Sequence, residues 1–159
     1  MSADTRRAGR TYDVAVTRHI EASAGRVYAV FADYREAHPK ILPPRFFAGL
    51  EVEAGGSGAG TRLIVRTKVA GRVRTMRGIV TEPAPGRRLV ETYPDAQVET
   101  SFLVEPRPGE NACSVTITTA FPRRRGPLGW VERRLVRGLL DRVYAEELDL
   151  LAAYLRQQA

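Results

Sequence analysis

The sequence has little of what most enzyme sites and membrane anchors are built from. Its 159 residues include one cysteine, two histidines and no long apolar run. Cys113 has no partner for a disulfide within the chain, and a free thiol suits a reducing compartment. Because no stretch of about 18 apolar residues occurs, no membrane-spanning helix is predicted. Residues 1–13 are polar, so we expect no signal peptide and a cytoplasmic protein.

The local motifs of common catalytic classes are missing as well. His19 and His38 show no metal-ligand spacing, so we expect no metal. A G-x-S-x-G nucleophile motif is absent. The glycine-rich stretch "GGSGAG" (55–60) lacks the Lys-Ser/Thr ending of a phosphate-binding loop. The sequence therefore predicts neither a metal site nor a cofactor.

The formal net charge is +7, and arginine supplies nearly all of the excess. Such a balance is typical of a protein with an anionic partner, or of an arginine-rich composition with no such partner. The abundance of alanine, glycine and arginine favours the second interpretation. We therefore do not expect a nucleic-acid partner.

The chain length and pattern indicate one domain, residues 11–159, after a loose tail of residues 1–10. Residues 11–20 alternate between apolar and polar and predict a half-buried strand. Ser23 is a suitable N-cap for a short helix, whose apolar stripe comprises Val27, Val30, Phe31 and Tyr34. A second short helix is predicted within residues 34–44, where three prolines limit its length.

Six further strands are predicted, separated by short turns. They cover residues 46–54, 61–69, 72–82, 87–93, 98–106 and 113–121. Short, evenly spaced turns favour antiparallel pairing over crossover connections.

The segment of residues 126–158 predicts one long helix. Its apolar residues step by three, four or five positions, and they are Leu128, Val131, Leu135, Leu139, Val143, Leu148, Leu151 and Leu155. Such a helix would be roughly 45–50 Å long and would cross a whole sheet.

This order of elements, opened by "VTRHIEASAGRVYAVFADY", resembles the SRPBCC superfamily, which includes START domains, polyketide cyclase/dehydrases and birch-pollen-allergen-like proteins. "GAGTRLIVRT" and "GIVTEPAPGRRLVET" add to the similarity. The resemblance implies an α+β helix-grip fold. In it, a curved antiparallel sheet of about seven strands wraps a long C-terminal helix, two short helices follow strand 1, and a cavity lies between sheet and helix.

Strand alternation indicates which residues face that cavity. The strand at 72–82 leaves two choices, and family resemblance favours Arg74, Met76, Gly78 and Val80 over Val73, Thr75, Arg77 and Ile79. The predicted ligand-binding residues are Leu63, Val65, Thr67, Arg74, Met76, Thr100, Phe102, Val115, Ile117, Trp130, Leu135 and Leu139. Their composition, apolar with a few polar groups, is typical of a small-molecule pocket.

Three functional hypotheses follow. The first is binding, with or without transport, of a small hydrophobic molecule such as a lipid or a polyketide-like aromatic. The second is a cofactor-independent polyketide cyclase/dehydratase, with Glu91 or Tyr93 as acid or base and Thr67, Thr100 and Arg74 orienting carbonyls. The third is an interaction protein with an arginine-rich surface and a filled core. Convergence of two or more ionisable groups in the cavity would favour the second.

The segment that begins the long helix has two interpretations. Arg123, Arg124 and Arg125 lie near Trp130, and together they suit peripheral contact with an anionic membrane surface. Alternatively, Trp130 closes the pocket mouth and the arginines are simply exposed. Because arginine is abundant throughout the chain, the second interpretation is favoured.

Overall fold

The computed structural model describes residues 10–159, and it confirms the predicted order of elements. The predicted tail, residues 1–10, lies outside the described residues except for Arg10. The strands are β1 (Thr11–Ile20), β2 (Phe47–Ala54), β3 (Arg62–Val69), β4 (Arg72–Ala84), β5 (Arg88–Tyr93), β6 (Val98–Pro106) and β7 (Cys113–Pro122). The α-helices are α1 (Ala24–Ala32), α2 (His38–Ile41) and α3 (Gly126–Gln157), and a 3-10 turn (Pro94–Ala96) precedes β6.

The seven strands form one antiparallel sheet in the order β1-β7-β6-β5-β4-β3-β2. Each strand from β2 to β7 pairs with its neighbour in sequence, because the short turns allow only hairpin connections. β1 joins the far edge by pairing with β7. Register shifts interrupt the β2–β3 and β4–β5 ladders, and such irregularities bend a sheet. The helix-grip prediction is confirmed.

Helix α1 begins as its sequence predicts. The hydroxyl of Ser23 accepts a hydrogen bond from the backbone N–H of Arg26, which satisfies one free amide of the first turn. Val27 and Phe31 on the apolar stripe are fully buried. Helix α1 packs against β6 and α3, so it closes one end of the space inside the sheet.

Helix α3 is one continuous element of 32 residues, about 48 Å long. Its two parts have different surroundings. In the inner part, residues 139–157, Val143, Leu148, Leu151 and Leu155 are buried against the sheet and the short helices. In the outer part, residues 126–138, Leu128, Trp130, Val131 and Leu135 are exposed.

The facing of β4 follows the choice that family resemblance favoured. Gly78 and Val80 are buried, whereas Val73 and Ile79 are exposed. Arg74 and Met76 therefore lie on the same concave side as Gly78 and Val80, since alternate residues of a strand share a face.

Candidate functional site

A cavity of about 240 Å³ lies between the concave face of the sheet and α3. Its deep end is formed by buried side chains, namely His38, Val65, Glu91, Tyr93, Val98, Thr100, Phe102, Thr119, Val143, Tyr144 and Glu147. Its outer end is formed by partly or fully exposed ones, namely Leu42, Phe46, Phe47, Leu50, Thr67, Lys68, Val69, Arg74, Met76, Phe121, Val136, Leu139 and Leu140. The opening therefore lies on the side of Lys68, Val69 and Arg74, which are exposed.

Nine of the predicted site residues line this cavity. They are Val65, Thr67, Arg74, Met76, Glu91, Tyr93, Thr100, Phe102 and Leu139. Three other predicted residues, Leu63, Val115 and Ile117, lie in the core and not on the cavity wall. They share the concave face, but other core side chains fill the space above them. The roles of all twelve residues in binding or catalysis stay predictions.

Trp130 and Leu135 do not line the cavity, in contrast to their predicted placement. They are 58% and 69% exposed, so they lie on the solvent side of the outer part of α3. Helical periodicity indicates which residues share a face, but not how far the opposite wall extends. The guanidinium of Arg134 lies 5.9 Å from the centre of the Trp130 ring, so the tryptophan packs beside charge at the surface.

A row of polar side chains crosses the deep end. Glu91, Thr100 and Thr119 are direct cross-strand partners on β5, β6 and β7, so the sheet register places them side by side. The hydroxyls of Thr100 and Thr119 are 2.8 Å apart and hydrogen-bonded. Thr119 is also hydrogen-bonded to the hydroxyl of Tyr144, which α3 supplies from above. Helix and sheet are thus joined by a polar chain inside an apolar core.

Both carboxylate oxygens of Glu91 accept hydrogen bonds from tyrosines. The hydroxyl of Tyr34 donates to Oε1 at 2.8 Å, and the hydroxyl of Tyr93 donates to Oε2 at 2.7 Å. Burial and the adjacent Glu91 carboxylate raise the pKa of both tyrosines, so they remain protonated donors. Gly78 makes this arrangement possible, since a Cβ there would lie 2.7 Å from the Tyr93 ring. Glu91 is therefore buried with its acceptors satisfied.

His38 and Glu147 form a second polar cluster that the sequence analysis did not predict. His38 Nδ1 donates to the carbonyl of Phe31 at 2.7 Å, and its ring stacks on Tyr34. The other ring nitrogen, Nε2, lies 3.9 Å from Oε1 of Glu147, which is beyond hydrogen-bond length. Oε1 has no hydrogen-bond partner among residues 10–159, although the side chain of Glu147 is only 2% exposed.

Burial shifts the pKa values of this pair in opposite directions. Desolvation raises the pKa of Glu147 well above the usual carboxyl range, and the nearby Glu91 carboxylate raises it further. Desolvation lowers the pKa of His38, partly opposed by Glu91, by the Phe31 carbonyl and by Asp33. Both shifts favour the neutral forms, which are a protonated carboxyl and an uncharged imidazole.

Two sequence signals point to this pair. Glu147 lies four residues after Val143 and four before Leu151, so it is a lone acid within the apolar stripe of α3. His38 follows Phe31 by seven residues and Tyr34 by four, which is helical spacing from both, although α1 ends at Ala32. A polar residue at an inward-facing position is a candidate for a functional role, because burying it without a partner is unfavourable.

Two kinds of feature are absent from the described residues. Among residues 10–159, no group of three or more His, Cys, Asp or Glu side chains is arranged to hold a metal ion. Over the same residues, no helix combines the length and apolarity needed to cross a bilayer.

Comparisons with known proteins agree with this architecture. The family model described as "Polyketide cyclase / dehydrase and lipid transport" matches residues 11–156. No curated protein matches the sequence significantly. The solution structure of KanY protein superimposes with a TM-score of 0.78 at 26% identity, covering 92% of this chain and 98% of the other.

Two further solved structures share the fold at lower identity. Zhui aromatase/cyclase from Streptomyces sp. R1128 has a TM-score of 0.71 at 20% identity, covering 94% of this chain and 96% of its own. A START superfamily protein from Mycobacterium smegmatis has a TM-score of 0.70 at 18% identity, covering 92% and 99%. The predicted superfamily relationship is confirmed.

Proposed function

We propose that this chain, which belongs to the polyketide cyclase/dehydrase and lipid transport family, binds a small and mostly apolar molecule in its internal cavity. The observation that carries this proposal is the cavity itself, about 240 Å³ with an opening beside Lys68, Val69 and Arg74. Its size lies just below the range of about 300–1,000 Å³ that is common for small-molecule sites. A single aromatic or short lipid-like molecule suits it better than a large lipid.

The composition of the wall supports the same conclusion. Fourteen of the 24 lining residues are apolar, and seven of the ten polar ones lie at the buried, deep end. The ligand's apolar body would pack against residues such as Phe102 and Leu139, while its polar group would reach the deep end. The interaction-protein hypothesis required a filled core, so the cavity argues against it as the sole function. A cytoplasmic location stays a prediction.

An apolar fluorescent probe, 1-N-phenylnaphthylamine, tests the binding proposal. We expect saturable fluorescence enhancement with the wild-type protein, and weaker binding by Val65→Phe because the ring occupies the cavity. Val73→Phe is the matched control, since Val73 is exposed on the adjacent strand. The proposal fails if both variants bind like the wild type while remaining folded, or if the folded wild type does not bind. If the wild type binds the probe, native mass spectrometry of the purified protein would identify any natural ligand that co-purifies with it.

The second candidate function is cofactor-independent cyclisation or dehydration of a polyketide-like substrate. The observation in its favour is that Glu91, Glu147 and His38 all reach one cavity. In such a reaction a base removes a proton from the carbon that lies between two carbonyl groups. The resulting carbanion adds to the carbon of another carbonyl group. The oxygen of that group then takes a proton and becomes a hydroxyl. Loss of that hydroxyl with a neighbouring proton releases water. The raised pKa of Glu147 and the lowered pKa of His38 suit these proton transfers.

The predicted acid/base residues, Glu91 and Tyr93, are hydrogen-bonded to each other, so a proton would reach Glu91 through the tyrosine. A synthetic poly-β-ketone thioester, with the aromatic product followed by absorbance, tests the candidate. We expect Glu91→Gln and Tyr93→Phe to slow product formation by about 10²-fold or more. The matched controls are Glu82→Gln and Tyr28→Phe, because Tyr28 donates to Glu82 in a similar pair outside the cavity. Equal rates with and without protein would contradict catalysis.

We also propose that the outer part of α3 contacts an anionic membrane surface. Arg123, Arg124 and Arg125 directly precede α3. The exposed Leu128, Trp130 and Leu135 follow them in the outer part of the helix. Residues 123–137 contain six arginines and one glutamate. Apolar side chains beside a dense positive charge suit the interface of an anionic bilayer. Vesicle co-sedimentation that falls sharply with salt would support this contact, and salt-independent absence of binding would contradict it.

A further inference from the structure

The unsatisfied pair at the deep end of the cavity suggests the chemistry of the ligand's polar group. Glu147 Oε1 is buried and has no hydrogen-bond partner within the described part of the chain. His38 Nε2 lies 3.9 Å away on the opposite side of the gap. Buried polar atoms are rarely left without a partner, so this gap is a place for an additional polar atom.

The tautomer of His38 follows from its other hydrogen bond. A backbone carbonyl only accepts, so Nδ1, 2.7 Å from the Phe31 oxygen, must carry the hydrogen. In the neutral ring Nε2 is then an acceptor. Across the gap, the protonated form of Glu147 carries an O–H donor. The two sides of the gap are thus one acceptor and one donor.

A hydroxyl oxygen is the group that satisfies both sides at once. It donates its hydrogen to Nε2 and accepts from the Glu147 O–H. The Nε2 and Oε1 atoms are 3.9 Å apart, which is less than the sum of two normal hydrogen-bond lengths of about 2.8 Å. An oxygen beside the line that joins them can therefore lie at hydrogen-bond distance from both. A carbonyl oxygen satisfies only the donor, and an ether oxygen likewise has no hydrogen for Nε2.

The surroundings of the gap favour a neutral ligand group. Tyr34 stacks on the His38 ring, Phe102 lies edge-on to it and Phe31 contacts it from α1. The Glu91 carboxyl, which lines the same cavity, already accepts from Tyr34 and Tyr93. Lys68 and Arg74, the basic residues on the wall, are at the exposed end. An anionic ligand group at the deep end would therefore meet carboxyl groups and no cation.

We propose that His38 and Glu147 together bind the hydroxyl group of a phenol or alcohol whose remaining body is apolar. This inference rests on the proposed ligand-binding function and adds the class of ligand. The hydroxyl enters first and reaches the deep end, and the apolar body fills the space towards β3, β4 and the middle of α3.

Two naphthalene compounds test the proposal, and they differ only in whether the hydroxyl oxygen carries a hydrogen or a methyl group. Isothermal titration calorimetry at neutral pH compares 2-naphthol with 2-methoxynaphthalene. We expect the wild type to bind 2-naphthol about tenfold or more tightly, because the ether leaves the buried acceptor unpaired. Glu147→Leu and His38→Asn should each reduce this preference to about twofold or less. Glu147→Gln, which keeps a donor, should retain part of it.

Glu146→Gln is the matched control, since Glu146 is adjacent in sequence but pairs with Arg45 outside the cavity. It should keep the full preference. Circular dichroism establishes that each variant is folded, and His38→Asn provides a second test if Glu147→Leu does not fold. The asparagine amide keeps a donor for the Phe31 carbonyl.

The outcomes separate this inference from the function on which it rests. Equal affinity of the wild type for both compounds would overturn the hydroxyl assignment and leave cavity binding intact. A preference that persists in both Glu147→Leu and His38→Asn would place the hydroxyl elsewhere and would also overturn it. Failure of the folded wild type to bind either compound would overturn the proposed function and this inference together.

Discussion

The two parts of α3 share one helix and similar apolar spacing, but they have opposite surroundings. In the inner part, Leu148 and Leu151 are essentially fully buried, and Glu147 is buried beside them. In the outer part, Leu128 and Leu135 are exposed. Apolar spacing alone therefore does not predict burial. The inner part contributes to the core and to the candidate site, and the outer part exposes apolar side chains at the surface.

The largest expected effect tests this difference directly. Leu148→Ala should reduce the free energy of unfolding by about 2–5 kcal/mol, because it removes buried contacts and leaves a cavity. Leu135→Ala should change it by no more than about 0.5 kcal/mol, because the side chain is already exposed. Urea unfolding followed by circular dichroism measures both. Similar costs at the two positions would mean that the outer part packs against something in solution.

The second effect concerns the outer part as a membrane contact. Replacing Arg123, Arg124 and Arg125 with glutamine should weaken binding to anionic vesicles by roughly 3 kcal/mol, at about 1 kcal/mol per basic residue. The control replaces Arg62, Arg66 and Arg77, which lie on β3 and β4. Two of these arginines pair with Glu51 and Glu53 on β2. Equal losses from the two triple variants would indicate that net charge, and not this surface, determines binding.

The third effect concerns the buried carboxyl of the inner part. Because the pKa of Glu147 is raised in the folded protein, the folded state binds more protons than the unfolded state above the usual carboxyl pKa. The contribution of Glu147 to wild-type stability should therefore fall as pH rises from about 5 to 7, by up to about 1.4 kcal/mol per pH unit, while the lowered pKa of His38 acts in the opposite direction over part of this range. Glu147→Gln removes the titrating carboxyl. The free energy of unfolding of this variant, relative to that of the wild type, should therefore increase as pH rises from about 5 to 7.

Two controls separate this term from other titrations. His38 is present in both proteins, so its own titration cancels to a first approximation in the difference. Glu146→Gln removes a carboxylate from the partly exposed face of the same helix. Unfolding curves at pH 5, 6 and 7 give the comparison. A stability difference that does not depend on pH would mean that the Glu147 carboxyl is solvated or paired in solution.

The smallest expected effect lies at the boundary between the two parts. A Cβ at Gly138 would meet nothing within 4 Å, so Gly138→Ala should raise the free energy of unfolding by about 0.5–1 kcal/mol through helix propensity. Urea unfolding measures the change in the free energy of unfolding. Stopped-flow binding of 1-N-phenylnaphthylamine shows whether the association rate of the probe also falls. Destabilisation would indicate that the residue contacts a neighbour when the protein is in solution.

Local sequence patterns determined most of the architecture. Alternation located β3 as residues 61–69, against Arg62–Val69 in the structure, and located β5 as residues 87–93, against Arg88–Tyr93. These features were predictable because side-chain periodicity follows from backbone geometry within a few residues. The same periodicity placed Val65, Phe102 and Glu91 on the concave face, where they line the cavity.

The tertiary structure alone decided which residues form the site. His38 and Glu147 are 109 positions apart in sequence, and they meet only because α2 and α3 dock at the same end of the sheet. Leu63, Val115 and Ile117 share the concave face with the cavity residues, yet the packing above them leaves no space. The sequence by itself thus determined the elements and their faces, since these depend on local geometry. Only packing among distant elements decided where the cavity lies, how far α3 is covered and which polar groups are left without partners.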